Sequence, residues 1–211
     1  MFAFLISFTS IYLVDKFICS HLPKARWFSL HAICNAINTI CAFNVVTYAL
    51  YQPVHLTIDN EIYSNKLISI NSIWPTVYTI ALHIYHIIFF KLRYQDFIHH
   101  ICFVPFLLCN LSYQVKNLTI FFACGLPGMI TYILLSLKRY NIISKKTEKQ
   151  ISFYQNLWLR APGLLFSAFS VFYSHLYSQK ILPMNLYFTG GICLIASING
   201  MFYLQQISRT Y

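Results

Sequence analysis

The chain has 211 residues, of which 58% are hydrophobic, 18% aromatic and only 9% charged, with a mean hydropathy of +0.59. That balance excludes an ordinary soluble domain and points to a polytopic membrane protein. The net charge of +10 raises nucleic acid as a partner, but the placement of the charges argues against it.

Crossing a hydrocarbon core of roughly 30 Å takes about 20 mostly apolar residues. Seven stretches meet or approach this: 2–19, 27–51, 67–90, 97–113, 118–137, 151–177 and 183–204. The first is interrupted by Asp15 and Lys16, which are expected to snorkel or to mark its end. It has no basic leader and no small-residue cleavage motif, so it reads as a retained span rather than a signal peptide. The second carries His31, Asn35 and Asn38, and the loop behind it is mildly acidic through Asp59 and Glu61. The third holds Pro75, His83 and His86; the short fourth opens on His99 and His100, directly after Asp96. The fifth contains Gly125, Pro127 and Gly128, glycines that let a neighbouring backbone approach closely. Asn117-Leu-Thr119 is a formal glycosylation sequon, but it abuts this span and is expected to stay unused. After the basic loop 138–150 come the sixth span, with Arg160 and Pro162, and the seventh. Prolines at 75, 105, 127 and 162 are expected to kink their helices, and kinked helices can splay around a cavity. The seven cysteines lie in or at the ends of spans without a CxxC pair, and read as packing residues rather than disulfides.

With seven spans, alternate loops lie on opposite sides. One side collects Lys16, Lys24, Arg26, Lys91, Arg93, Lys138, Arg139, Lys145, Lys146, Lys149 and Arg209, against Lys66, Lys116 and Lys180 on the other. Eleven cations against three is a positive-inside signal that puts the N-terminus luminal or outside and the C-terminus in the cytosol. Topology thus explains the basic charge, with added attraction to anionic lipid at 138–149, and nucleic acid is not expected.

Ionisable groups inside a membrane are costly and mark functional sites by default. At 1.5 Å per residue, His31, His83, His86, His99 and His100 all fall within roughly 12 Å of the cytosolic boundary. Arg160 enters the same leaflet some 15 Å deep. His31, Asn35 and Asn38 share one face of span two, His83 and His86 one face of span three, and Asn156, Arg160 and Ser167 form a stripe on span six. Asp96 stands three and four residues before His99 and His100. An imidazole can act as general base with a carboxylate fixing its tautomer, or attack a thioester and carry the acyl group. A guanidinium can bind phosphate or carboxylate. Interhelical polar bonding is the plainer reading of each stripe alone; four at one depth favour a lined cavity.

The stretch Tyr85-His86-Ile-Ile-Phe-Phe-Lys91-Leu-Arg-Tyr-Gln-Asp96-Phe-Ile-His99-His100, followed by Leu111-Ser-Tyr113 and Asn117, resembles the TLC-domain family of membrane proteins. So do Arg26-Trp27 with His31, and Asn156-Leu-Trp-Leu-Arg160-Ala-Pro-Gly163. The resemblance implies a helical bundle around a lipid-accessible cavity in the endoplasmic reticulum or a related endomembrane. It divides the chain into a first transmembrane segment and cytosolic loop, 1–25, and a TLC-like domain, 26–206. In the ceramide synthases of that family, paired histidines and two later aspartates support N-acylation by acyl-CoA. His99 and His100 match the histidines, but the segment from Gly125 to Lys138 has no carboxylate. The resemblance is therefore to a member lacking the ceramide synthase aspartates.

The expected fold is all-α, a polytopic bundle of about seven transmembrane helices around a polar cavity. Three functions stay open. The first is a lipid-binding protein that influences membrane composition. The second is a lipid acyltransferase with Asp96, His99 and His100 as catalytic residues and acyl-CoA as substrate. The third is a seven-span receptor or transporter. In each, His31, Asn35, His83, His86 and Arg160 line the pocket. Membrane lipids and a second copy of the chain are the partners considered. No cofactor or metal is expected, because the histidines lack the HxxxH and HxxHH boxes of histidine-rich membrane desaturases.

Overall fold

Lipid offers the backbone neither donors nor acceptors, so long apolar runs satisfy themselves as helices. The computed structural model describes residues 1–51, 73–91, 107–108, 113–177 and 185–209, and among these every regular element is helical. Helix α1 is Phe2–Phe17, followed by a 3₁₀ turn at Cys19–His21; α2 is Arg26–Tyr51 and α3 is Trp74–Phe89. Helices α4 (Tyr113–Ile120) and α5 (Leu126–Arg139) join through a π turn at Phe121–Gly125. Helices α6 (Lys145–Gln155) and α7 (Ala161–Tyr177) join through a second π turn at Asn156–Arg160, and α8 is Leu186–Ser208.

Four helical stretches are long and apolar enough to cross a membrane: Phe2–His21, Arg26–Tyr51, Gln114–Arg139 and Leu186–Ser208. They coincide with four of the seven expected spans. The described helix of the third span is only 16 residues long. The sixth is continuous helix, but Asn156 and Arg160 dilute its apolar run. The fourth, 97–113, lies outside the described residues except for Leu107, Leu108 and Tyr113. An all-helical membrane bundle stands, with four helices of full spanning length among the described residues.

Two expectations change in detail. Pro75 sits in the first turn of α3, where a missing N–H costs nothing, rather than inside the span. Asp15 does not snorkel: it is 1% exposed, while Lys16 marks the end of α1.

Both π turns follow from proline. Each ends two residues before one, Pro127 or Pro162. A proline ring gives no N–H and presses on the carbonyl four residues back; a widened turn there relieves the clash while keeping the helix continuous. The two rods meet at these points. A Cβ on Gly163 would lie 2.0 Å from Cδ1 of Phe122, so the absence of a side chain is what admits that ring. Gly128 also allows close approach, but its occupant is the Asn35 side-chain amide, 2.6 Å from where a Cβ would be, rather than a backbone. Gln155 adds a polar staple: its Nε2 donates to the Pro127 carbonyl and to Thr131 Oγ1, the latter at 3.1 Å.

Helix pairing sets which ends meet. Ser29 and Ser136 hydroxyls lie 3.5 Å apart, which makes α2 and α5 antiparallel. Arg160 against Tyr203 at one level, and His175 Nδ1 3.0 Å from Thr189 Oγ1 at another, do the same for α7 and α8. The cation-bearing ends of α1, α2, α3, α5, α6 and α8 therefore gather at one end of the bundle. Buried Asn117 lies within a spanning helix and accepts from Thr76 Oγ1 at 3.4 Å. Lys116, expected in a loop, is buried there too.

Replacing Gly163 with alanine should lower stability in detergent by about 1–3 kcal/mol, the usual cost of overpacking. Adding Phe122→Leu should recover part of that loss. A Gly163→Ala protein with an unchanged melting midpoint would contradict this packing.

Candidate functional site

The site grows from a clamp at the basic end. Arg26 donates from Nε to Asp15 Oδ1 at 2.8 Å and from Nη2 to Oδ2 at 2.6 Å. Tyr85 donates its hydroxyl to Oδ2 at 2.7 Å. A buried carboxylate is several kcal/mol unfavourable unless such donors surround it, and here α1, α2 and α3 each supply one member. Both oxygens are engaged, so Asp15 acts as a structural anchor and not as an orienter of the histidines.

The residues next in sequence to the clamp form an aromatic-imidazole cluster. Trp27 follows Arg26 and His86 follows Tyr85, and their ring centroids lie 3.5 Å apart. One turn along α2, the His31 ring also lies against Trp27, tilted, with centroids 3.8 Å apart, and it approaches His86 edge-on at 5.6 Å. Phe90 closes one edge at 4.7 Å from Trp27, and Tyr132 of α5 lies 4.7 Å from His31. His31 Nδ1 is 3.0 Å from the Trp27 carbonyl. A carbonyl only accepts, so in that contact Nδ1 carries the proton and Nε2 is the basic nitrogen.

Arg160 lies within electrostatic range of the cluster's Tyr132 and of Cys124. It closes the second π turn and is 6% exposed. Its Nη1 donates to Asn156 Oδ1 at 3.0 Å and its guanidinium lies 4.9 Å from the Tyr203 ring centroid. Its Nε is buried without a hydrogen-bond partner, and among the described residues no carboxylate pairs with it. A guanidinium so placed is suited to an anionic oxygen.

The expected pocket residues are thus placed as follows. His31 and His86 come together directly, and Arg160 joins them through Tyr132. Asn35 lies one turn beyond His31 against Gly128, with its Nδ2 buried and unsatisfied. His83 is buried on α3 with Nδ1 2.7 Å from the Thr79 carbonyl. Asn38 Nδ2 donates to Thr79 Oγ1 at 3.0 Å, interhelical bonding of the ordinary membrane kind. Ser167 bonds the Gly163 carbonyl of its own helix at 2.8 Å. Asp96, His99 and His100 lie outside the described residues. Among the described residues no three His, Cys, Asp or Glu side chains group closely enough to hold a metal ion.

The sequence assigned no pocket role to Asp15, Tyr85, Trp27, Tyr132 or Tyr203, although Tyr85 and Arg26-Trp27 stood in the family resemblance. The structure sets Asp15 with Tyr85, Trp27 against both imidazoles, and Tyr203 beside Arg160. Two signals for them were present. Trp27 and His31 have i, i+4 spacing, which puts both on one face, and Asp15 is an acid inside an apolar run. Nothing local points to Tyr132 or Tyr203.

Trp27→Ala should cost about 2–3 kcal/mol of stability, by the rule for large-to-small changes in packed sites. Trp158→Ala, at a residue 74% exposed, should stay within about 0.5 kcal/mol. Equal losses in a thermal-shift comparison would remove Trp27 from the centre of the cluster. Comparison with known proteins adds no relative: no family model, curated protein or solved structure matches the chain.

Proposed function

We propose that the chain is a multi-pass membrane protein of the TLC-domain type that binds lipid within its bundle and thereby influences membrane lipid composition. In this reading the basic end faces the cytosol, the N-terminus is luminal, and the host membrane is the endoplasmic reticulum or a related endomembrane. Helix α3, the α6–α7 rod and residues 97–113 complete a set of seven spans. No catalytic step is required.

Arg160 is the observation that carries this reading. A guanidinium 6% exposed, with one side-chain acceptor and no carboxylate among the described residues, retains a large desolvation cost. The face of Tyr203 offsets only part of that cost. An anionic lipid group, carboxylate or phosphate, would complete its shell with charge-assisted bonds, while the Trp27, His31, His86 and Tyr132 rings supply an amphipathic wall. The TLC resemblance points the same way, since members lacking the synthase aspartates are associated with lipid composition rather than with acyl transfer.

Native mass spectrometry of the purified protein tests this. Wild type should retain anionic lipid, Arg160→Gln should lose it roughly tenfold or more, and Arg160→Lys should recover part. Lipid profiles of membranes expressing Arg160→Gln should differ from wild type. If Arg160→Met is as stable as wild type, or more so, and retains the same lipids, the guanidinium is only a structural remnant and the reading fails.

A further inference from the structure

A second polar feature lies outside this interior, at the hairpin between α5 and α6. Helix α5 ends in a glycine-like cap made by Asn141, whose φ of 58° is tolerated by asparagine. Asn141 N–H donates to the Lys138 carbonyl and Ile142 N–H to the Leu137 carbonyl, both at 3.0 Å, the double bond pattern that stops a helix sharply. Ser144 then starts α6, accepting from the Thr147 N–H at 3.0 Å. The hairpin is therefore built to one shape.

That shape encloses an open-sided cavity of about 750 Å³ between the hairpin and the start of α2. Its cations are Lys138, Arg139 and Lys145, and its apolar wall includes Phe28, Leu135 and Ile143. The one nearby acid among the described residues does not face it as a free charge. Glu148 is 2% exposed and holds Lys138 at 3.1 Å, with Ser152 Oγ on its other oxygen at 3.4 Å. Arg139 stands over the Phe28 ring at 5.5 Å, which orients the guanidinium without neutralising it. Arg139 and Lys145 thus stand without an ion-pair partner among the described residues, beside an apolar wall at the end of two helices that reach membrane length.

We infer that this cavity is a binding site for the headgroup of an anionic phospholipid bearing a phosphate monoester. Two cations without a carboxylate match a dianionic phosphate. The apolar wall matches the glycerol and upper acyl chains, which a soluble anion lacks. Basic pockets beside transmembrane helices recognise lipid headgroups by this combination. The site shares no residue with the Arg160 interior, and either can fail without the other.

The test uses the full chain in nanodiscs of phosphatidylcholine with and without phosphatidic acid, and counts retained lipids by native mass spectrometry. Wild type should retain phosphatidic acid in preference to phosphatidylcholine. Arg139→Gln with Lys145→Gln should reduce that preference roughly tenfold or more. The charge-matched pair Lys146→Gln with Lys149→Gln lies outside the cavity lining and should change it by less than about twofold on the same grounds. All four residues are at or near the surface, and unchanged melting midpoints would confirm folding. Equal loss in both pairs would show diffuse surface attraction and overturn the pocket. Displacement of the lipid by equimolar inorganic phosphate would show a general anion site and overturn the lipid assignment.

Discussion

One buried carboxylate organises the described part of this bundle. Asp15 sits in an apolar helix where an uncompensated charge would be intolerable, and it is held by a bidentate guanidinium from α2 and a phenol from α3. Because Trp27 directly follows Arg26 and His86 directly follows Tyr85, the clamp fixes the register in which those two rings meet. A slip of one residue in either helix would turn the stack away by about 100°. The cluster is thus a consequence of the clamp, not an independent arrangement.

Beyond the clamp, two prolines shape the other half. Pro127 and Pro162 each force a π turn in a long rod, and the widened turns bring Phe122 into Gly163 and Arg160 under Tyr203. A run of aromatic and polar groups then passes from His86 through Trp27, His31 and Tyr132 to Arg160. Hydrophobic burial adds little between helices in lipid, so close packing and interior polar bonds are what hold such a bundle. Asn38 with Thr79, Thr76 with Asn117, and Gln155 with Thr131 supply those bonds along its length.

Counting residues from the basic loops was enough to bring His31, His86 and Arg160 to one level, because helical rise is a local property. The same counting placed Asn35 on the face of His31, though its partner proved to be the Gly128 surface. Contacts between distant elements were not legible. Asp15 looked like an interruption because its second donor, Tyr85, stands 70 residues away, and no pattern in either segment names the other. Prolines marked where helical regularity changes but not the form it takes, since a π turn depends on what the neighbouring rod can accept. The motif of Asp96 with His99 and His100 lies outside the described residues.

The clamp is tested most directly by a double-mutant cycle of Asp15→Asn and Arg26→Gln, with unfolding measured in detergent. Arg26→Gln leaves the buried carboxylate without its guanidinium. Asp15→Asn puts an amide N–H₂ among converging donors, while the Arg26 side chain is 44% exposed. Each should therefore destabilise on its own, the first more than the second. The double variant should lose less than the sum by about 1–2 kcal/mol. Losses that add to within about 0.5 kcal/mol would mean that the two residues do not interact, and would remove the basis for the register of Trp27 and His86.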